Sequence, residues 1–93
     1  MVRSITQDYT AVLEDYYIGV NSEISITITL PTSLDGKQYI IKAEMKPPMS
    51  KRKVIIISED NCKFDGYTNH VLHISHESVW LIKNGKEWHV ITK

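Results

Sequence analysis

A chain of 93 residues, 42% of them hydrophobic, carries enough apolar side chains for one domain with a single core and no need of metal or disulfide staples. Its 11 basic and 11 acidic side chains cancel, which removes the overall field that would attract nucleic acid, so nucleic acid is not an expected partner. The lone Cys62 cannot close an internal disulfide, and no apolar stretch is long enough to span a bilayer, so membrane insertion is not expected either.

Isoleucine outnumbers leucine by 13 to 5, and β-branched side chains suit a pleated surface, so sheet is the first expectation. Residues 1–7 precede the first clear pattern and read as a flexible or added lead-in to a single domain spanning 1–93. Residues 5–20 fit a helical stripe through Ile5, Tyr9, Val12, Leu13 and Tyr16. They also fit two short strands broken at Glu14 and Asp15, and the β-branched and aromatic content favours strands. Residues 24–30 alternate, with Ile24, Ile26, Ile28 and Leu30 on one face and Ser25, Thr27 and Thr29 on the other.

Pro31 ends that strand, and a turn around Asp35 and Gly36 leads to residues 38–46, where Tyr39, Ile41, Ala43 and Met45 share a face. The pair reads as an antiparallel hairpin with a longer loop. Pro47, Pro48 and the cations Lys46, Lys51, Arg52 and Lys53 then mark an exposed loop. Residues 53–58 (KVIIIS) are a short continuous apolar run, the pattern of a strand buried on both faces. Asp65 and Gly66 make a turn, and residues 70–76 alternate with Leu72 and Ile74 inward.

The chain closes on two strands around Asn84 and Gly85, the strongest short-range hairpin signal, because a type I′ turn needs positive φ at both central residues. That turn sets Lys83 against Lys86, Leu81 against Trp88 and Trp80 against His89. One face then holds Val79, Leu81, Trp88 and Val90 and belongs to the core. The other holds Trp80, Ile82, His89 and Ile91 and is too apolar to be left wholly in water, so a second layer or a neighbouring subunit should cover it.

Several clusters invite chemistry and do not sustain it. His70, His73 and His76 recur every third residue, but a strand sends His73 to the face opposite the other two, so three metal ligands cannot converge from it. Neither a nucleophile elbow nor a pair of carboxylates on one face is discernible, so no catalytic residue, metal or cofactor is assigned and no enzyme activity is expected. Lys51, Arg52 and Lys53 are the candidate contacts to an anionic partner, against the plainer reading of a solvated loop that guards a sheet edge. Tyr67, directly after the Asp-Gly turn, is the tyrosine expected at the surface and the candidate for stacking on a ligand.

The order of these motifs resembles the small β domain near the C-terminal ends of phage and large-virus tail-fibre and virion-fibre proteins. The matching positions are Leu30 with Pro31, the Gly-Lys-Gln-Tyr-Ile-Ile-Lys run at 36–42, Phe64-Asp65-Gly66, and the Gly-Lys-Glu-Trp-His-Val-Ile run at 85–91. The likeness covers roughly residues 8–91. It implies a non-enzymatic virion structural protein, part of a surface fibre or spike, that forms a homotrimer, contacts other virion proteins and takes part in host attachment through a glycan or protein receptor.

The expected fold is therefore all-β: a small antiparallel β-sandwich or β-prism-like domain, trimeric through Trp80, Ile82, His89 and Ile91, with Tyr67, Lys51, Arg52 and Lys53 for receptor binding. Family domains normally follow a long shaft, so a chain beginning near the domain reads as an excised tip or a stand-alone subunit. The alternative is a monomeric viral β module that binds and inhibits a host protein, using the same apolar face for that partner.

Overall fold

The computed structural model describes residues 1–47, 49 and 52–91. Among the described residues ten strands run in chain order: β1 (Val2–Ile5), β2 (Tyr9–Thr10), β3 (Tyr17–Val20), β4 (Ile26–Leu30), β5 (Gln38–Ala43), β6 (Val54–Ser58), β7 (Lys63–Phe64), β8 (His70–Leu72), β9 (Ser78–Asn84) and β10 (Glu87–Ile91). They form two sheets packed as a sandwich, one ordered β1-β3-β5-β9-β10-β7 and the other β2-β4-β6-β8. The all-β expectation holds, and residues 5–20 contain the two short strands that their composition favours, β2 and β3.

Both sheets are mixed rather than antiparallel. From β1 to β9 the chain changes sheet at every step, so a strand's neighbour in its own sheet is often the strand two places on, running the same way. Thus β1 pairs in parallel with β3 and β3 with β5, while in the other sheet β2 pairs in parallel with β4 and β4 with β6. Successive parallel partners lie 15 (Val2 to Tyr17), 23 (Tyr17 to Ile40), 19 (Tyr9 to Ile28) and 28 (Ile26 to Val54) residues apart. Separations of that size suit a crossover, not a hairpin. Among the described strands, the antiparallel pairs are β5 with β9, β9 with β10, and β6 with β8.

The expected hairpin of residues 24–30 with 38–46 is absent, since β4 and β5 belong to opposite sheets. Pro31 stops β4 as anticipated, but residues 31–37 then cross the sandwich instead of folding back beside it. Ile24 lies before the strand and is exposed, and Ile74, expected inward, is exposed beyond the end of β8. Residues 1–7 contain an edge strand, with Ile5 buried, where a lead-in was expected.

The core fills the space between the sheets by strict alternation. Ile18, Val20, Tyr39, Ile41, Ala43, Val79, Leu81 and Trp88 come from one sheet, and Ile26, Ile28, Leu30, Val54, Ile56 and Leu72 from the other. Tyr39 and Trp88 meet with ring centroids 5.6 Å apart, and the Tyr39 hydroxyl donates to the Val12 carbonyl at 2.8 Å. β6 alternates too: Val54, Ile56 and Ser58 are buried and Ile55 and Ile57 half-buried, because the strand has a sheet on one side only. Its continuous apolar sequence suggested burial on both faces.

The final hairpin differs by one residue in its loop. Glu87 faces Asn84, Trp88 faces Lys83, His89 faces Ile82, Val90 faces Leu81 and Ile91 faces Trp80, so the loop is Gly85 and Lys86. Gly85 has φ +68°, while Asn84 is absent from the described residues with positive φ, a pattern that matches glycine at the first position of a II′ turn. The cause lies on the other side of β9. Gly36 N–H donates to the Lys83 carbonyl at 2.8 Å, Lys83 N–H to the Lys37 carbonyl at 2.9 Å, and Gly85 N–H to Asp35 Oδ1 at 2.9 Å, which keeps Asn84 extended as the last residue of β9. The Asp65 and Gly66 turn does form, with φ of +50° and +89° and reciprocal backbone bonds between Phe64 and Tyr67.

Candidate functional site

The sequence-expected face survives this change of register. Moving the loop by one residue shifts each pairing by two in sum, which preserves parity, so Trp80, Ile82, His89 and Ile91 still point together away from the core. Pairing then extends the face beyond the hairpin. Val2, Tyr17, Ile40, Trp80 and Ile91 stand opposite one another in one row across β1, β3, β5, β9 and β10. At ~4.8 Å per strand the row is about 19 Å long. Val2 is 61% exposed, Trp80 43% and Ile91 38%, with Tyr17 and Ile40 half-buried, so the described residues leave much of the row uncovered.

More polar rows flank this stripe, with Ile82 the apolar member of one of them. On one side Gln38, half-buried Ile82 and exposed His89 lie abreast. The Trp80 indole N–H donates to Gln38 Oε1 at 2.8 Å, which fixes the ring plane on the sheet surface. On the other side come Ser4, Gly19, Lys42 and Ser78. Gly19 has a steric reason to be glycine: a Cβ there would lie 2.6 Å from the Glu44 carboxyl group. Glu44 crosses that gap to accept the Tyr17 hydroxyl proton, and this bond, with burial, pushes the Tyr17 phenol up to about 12.

The turn at Asp65 and Gly66 is clasped to β10. Asp65 Oδ1 accepts Val90 N–H at 3.2 Å and lies 3.7 Å from His89 Nδ1, and Glu87 Oε1 accepts Gly66 N–H at 2.7 Å. Tyr67 therefore projects from a fixed turn at 72% exposure, as expected. Trp88 is fully buried, also as expected.

Arg52 and Lys53 are the described members of the expected set Lys51, Arg52 and Lys53. Arg52 donates from Nη1 to the Ser22 carbonyl and from Nη2 to the Lys46 carbonyl, both at 2.7 Å, so its guanidinium staples the loop before β4 to the end of the β5 segment. Lys53 is exposed, and Lys51 lies outside the described residues.

Sequence reasoning missed Val2, Tyr17 and Ile40. Their outward positions are legible from alternation, but the strands that align them are far apart in the chain. It also missed Asp15, a buried carboxylate that joins β1, β2 and the segment after β2: its Oδ1 receives Arg3 Nε and its Oδ2 receives the Tyr9 hydroxyl and Val12 N–H. Among the described residues no three His, Cys, Asp or Glu side chains are grouped to hold a metal ion. No protein-family model matches the chain, and no curated protein matches it.

Proposed function

We propose that this protein is a non-enzymatic structural domain of a virion fibre or spike, assembled as a homotrimer through the outer face of its six-stranded sheet and contributing to host attachment. The observation that carries this reading is the apolar row of Val2, Tyr17, Ile40, Trp80 and Ile91, left open to solvent in a single copy. A row of this kind, rimmed by Gln38, His89, Lys42 and Ser78, has the apolar centre and polar margin of a protein interface. Identical copies round an axis bury it with no further partner. The order of the Leu-Pro, Gly-Lys-x-Tyr, Asp-Gly and Gly-x-x-Trp motifs supports the virion assignment and the trimeric state.

Tyr67 and Lys53 are then the side chains directed at a receptor, since both are exposed and neither belongs to the apolar row. Light scattering on a sizing column tests assembly. The wild type should run near 32 kDa, three times the 10.7 kDa chain, and Trp80→Glu should reduce it to monomer or aggregate. A wild-type monomer at micromolar concentration overturns the trimer and turns the same face toward a host protein instead.

A further inference from the structure

The four-stranded sheet ends at β8, a strand of three residues paired with β6 only through Leu72 opposite Val54, Val71 opposite Ile55 and His70 opposite Ile56. Tyr9, Ile28, Ile56 and His70 form one row across this sheet, and Ile28 and Ile56 are core residues, so His70 points inward at the rim of the core and is half-buried. Only Leu72 of β8 is fully buried. Thr68, Asn69, His73 and Ile74 on either side are exposed, so the short ladder to β6 and the inward side chains of Leu72 and His70 are what hold the strand against the core. Behind it lies β6, Val-Ile-Ile-Ile-Ser, an uncharged β-branched run of the kind that pairs with any free strand once its edge is uncovered.

We propose that His70 makes β8 an acid-released guard: protonation of its imidazole in mildly acidic solution frees β8 and opens the β6 edge to pairing with a second copy of this chain. A charge placed inward among apolar side chains is costly to bury, and histidine makes that cost conditional on pH. Ile56 of β6 and Ile28 of β4 share its row and carry no charge. The carboxylates that reach the ring are Glu77, ahead of β9, and Asp65, in the turn before β8.

Burial pushes the His70 imidazole below its ordinary 6.5, and the two carboxylates, which favour the charged ring, do not offset it. The folded state thus favours the neutral ring. Its contribution to holding β8 is complete above the ordinary value and is lost as pH falls through the lowered one.

Hydrogen exchange on the full chain, corrected for the intrinsic effect of pH, tests this. Between pH 7.5 and 5 the protection of amides 70–72 should fall several-fold relative to β3 and β5. His70→Leu should abolish that fall, and His73→Gln, at an exposed neighbour, should leave it intact. Protection that does not change with pH, or a fall that persists in His70→Leu, overturns the guard. Should His70→Leu not fold, proton titration of the wild type decides: the His70 ring and the amides of Val71 and Ile55 must move with one midpoint below 6.5, and separate midpoints overturn it. Light scattering at pH 5 should show association beyond the pH 7.5 state in wild type and none in His70→Leu. Released β8 without added association overturns the pairing with a second copy.

Discussion

Arg3 Nε lies 3.1 Å from Asp15 Oδ1, and the carboxylate it meets is fully buried while the Arg3 side chain keeps 35% of its exposure. The pair ties the N-terminal edge strand to the segment between β2 and β3. Lys37 Nζ adds a bond to the Asp15 carbonyl at 2.6 Å, and the chain's amino group donates to the Glu14 carbonyl at 2.8 Å. Residues 12–15 are therefore a hub on which β1, β2 and the approach to β5 are hung.

Removing the hub should loosen three strands together. Asp15→Ala leaves the Tyr9 hydroxyl, Val12 N–H and Arg3 without their acceptor and should cost about 2–4 kcal/mol in urea unfolding. Burial alone would raise the Asp15 carboxyl, but the bonds from Tyr9, Val12 and Arg3 outweigh it and hold it below the usual 3.8. A lowered carboxyl contributes stability that is present above the unfolded value and lost as pH falls through the folded one. Wild-type stability should therefore drop below about pH 4 and the Asp15→Ala protein should lose less there.

The last hairpin separates two turn geometries by mutation. With Gly85 alone at positive φ and open space around its missing Cβ, Gly85→Ala should cost about 1–2 kcal/mol from backbone strain only. Asn84→Ala should stay within about 0.5 kcal/mol, because Asn84 is an exposed strand residue. A large loss for Asn84→Ala in thermal unfolding would restore the I′ turn.

Tyr17 reports on Glu44. A phenol raised to about 12, chiefly by its hydrogen bond to Glu44, adds stability that is complete below the ordinary 10 and disappears as pH rises through 12. Glu44→Gln should return one tyrosine of the five toward 10 in an absorbance titration at high pH. Gly19→Ala should have the same spectroscopic effect by displacing the carboxylate, at a stability cost of about 1 kcal/mol or less, since the obstructing atoms end a flexible side chain.

Trp88 is buried with its indole N–H lacking a hydrogen-bond partner among the described residues. Leaving such a donor unpaired costs about 1–3 kcal/mol, so Trp88→Phe removes a penalty as well as packing. Its net loss in urea unfolding should be below about 2 kcal/mol, less than Leu81→Ala, a fully buried site where only packing is lost.

The sequence by itself determined the class of structure and the two faces of its principal strands. Ile26, Ile28 and Leu30, then Tyr39, Ile41 and Ala43, then Val79, Leu81 and Trp88 are inward because a strand reverses direction at every residue, and that period needs no knowledge of partners. For the same reason Trp80, Ile82, His89 and Ile91 were legible as one outward set even with the loop misplaced by a residue. Alternation is silent on everything between strands. An inward row looks the same in either sheet and in either direction, so the transfer of β4 and β5 to opposite sheets and the parallel pairing of β1, β3 and β5 arise only when the whole chain closes round one core. Tertiary contact likewise decided the turn at Gly85, where the bond from Gly85 N–H to Asp35 and that from Gly36 N–H to the Lys83 carbonyl outweigh the local preference of Asn-Gly. It also placed Asp15 inside, where Arg3 and Tyr9 reach it from strands that no local pattern joins.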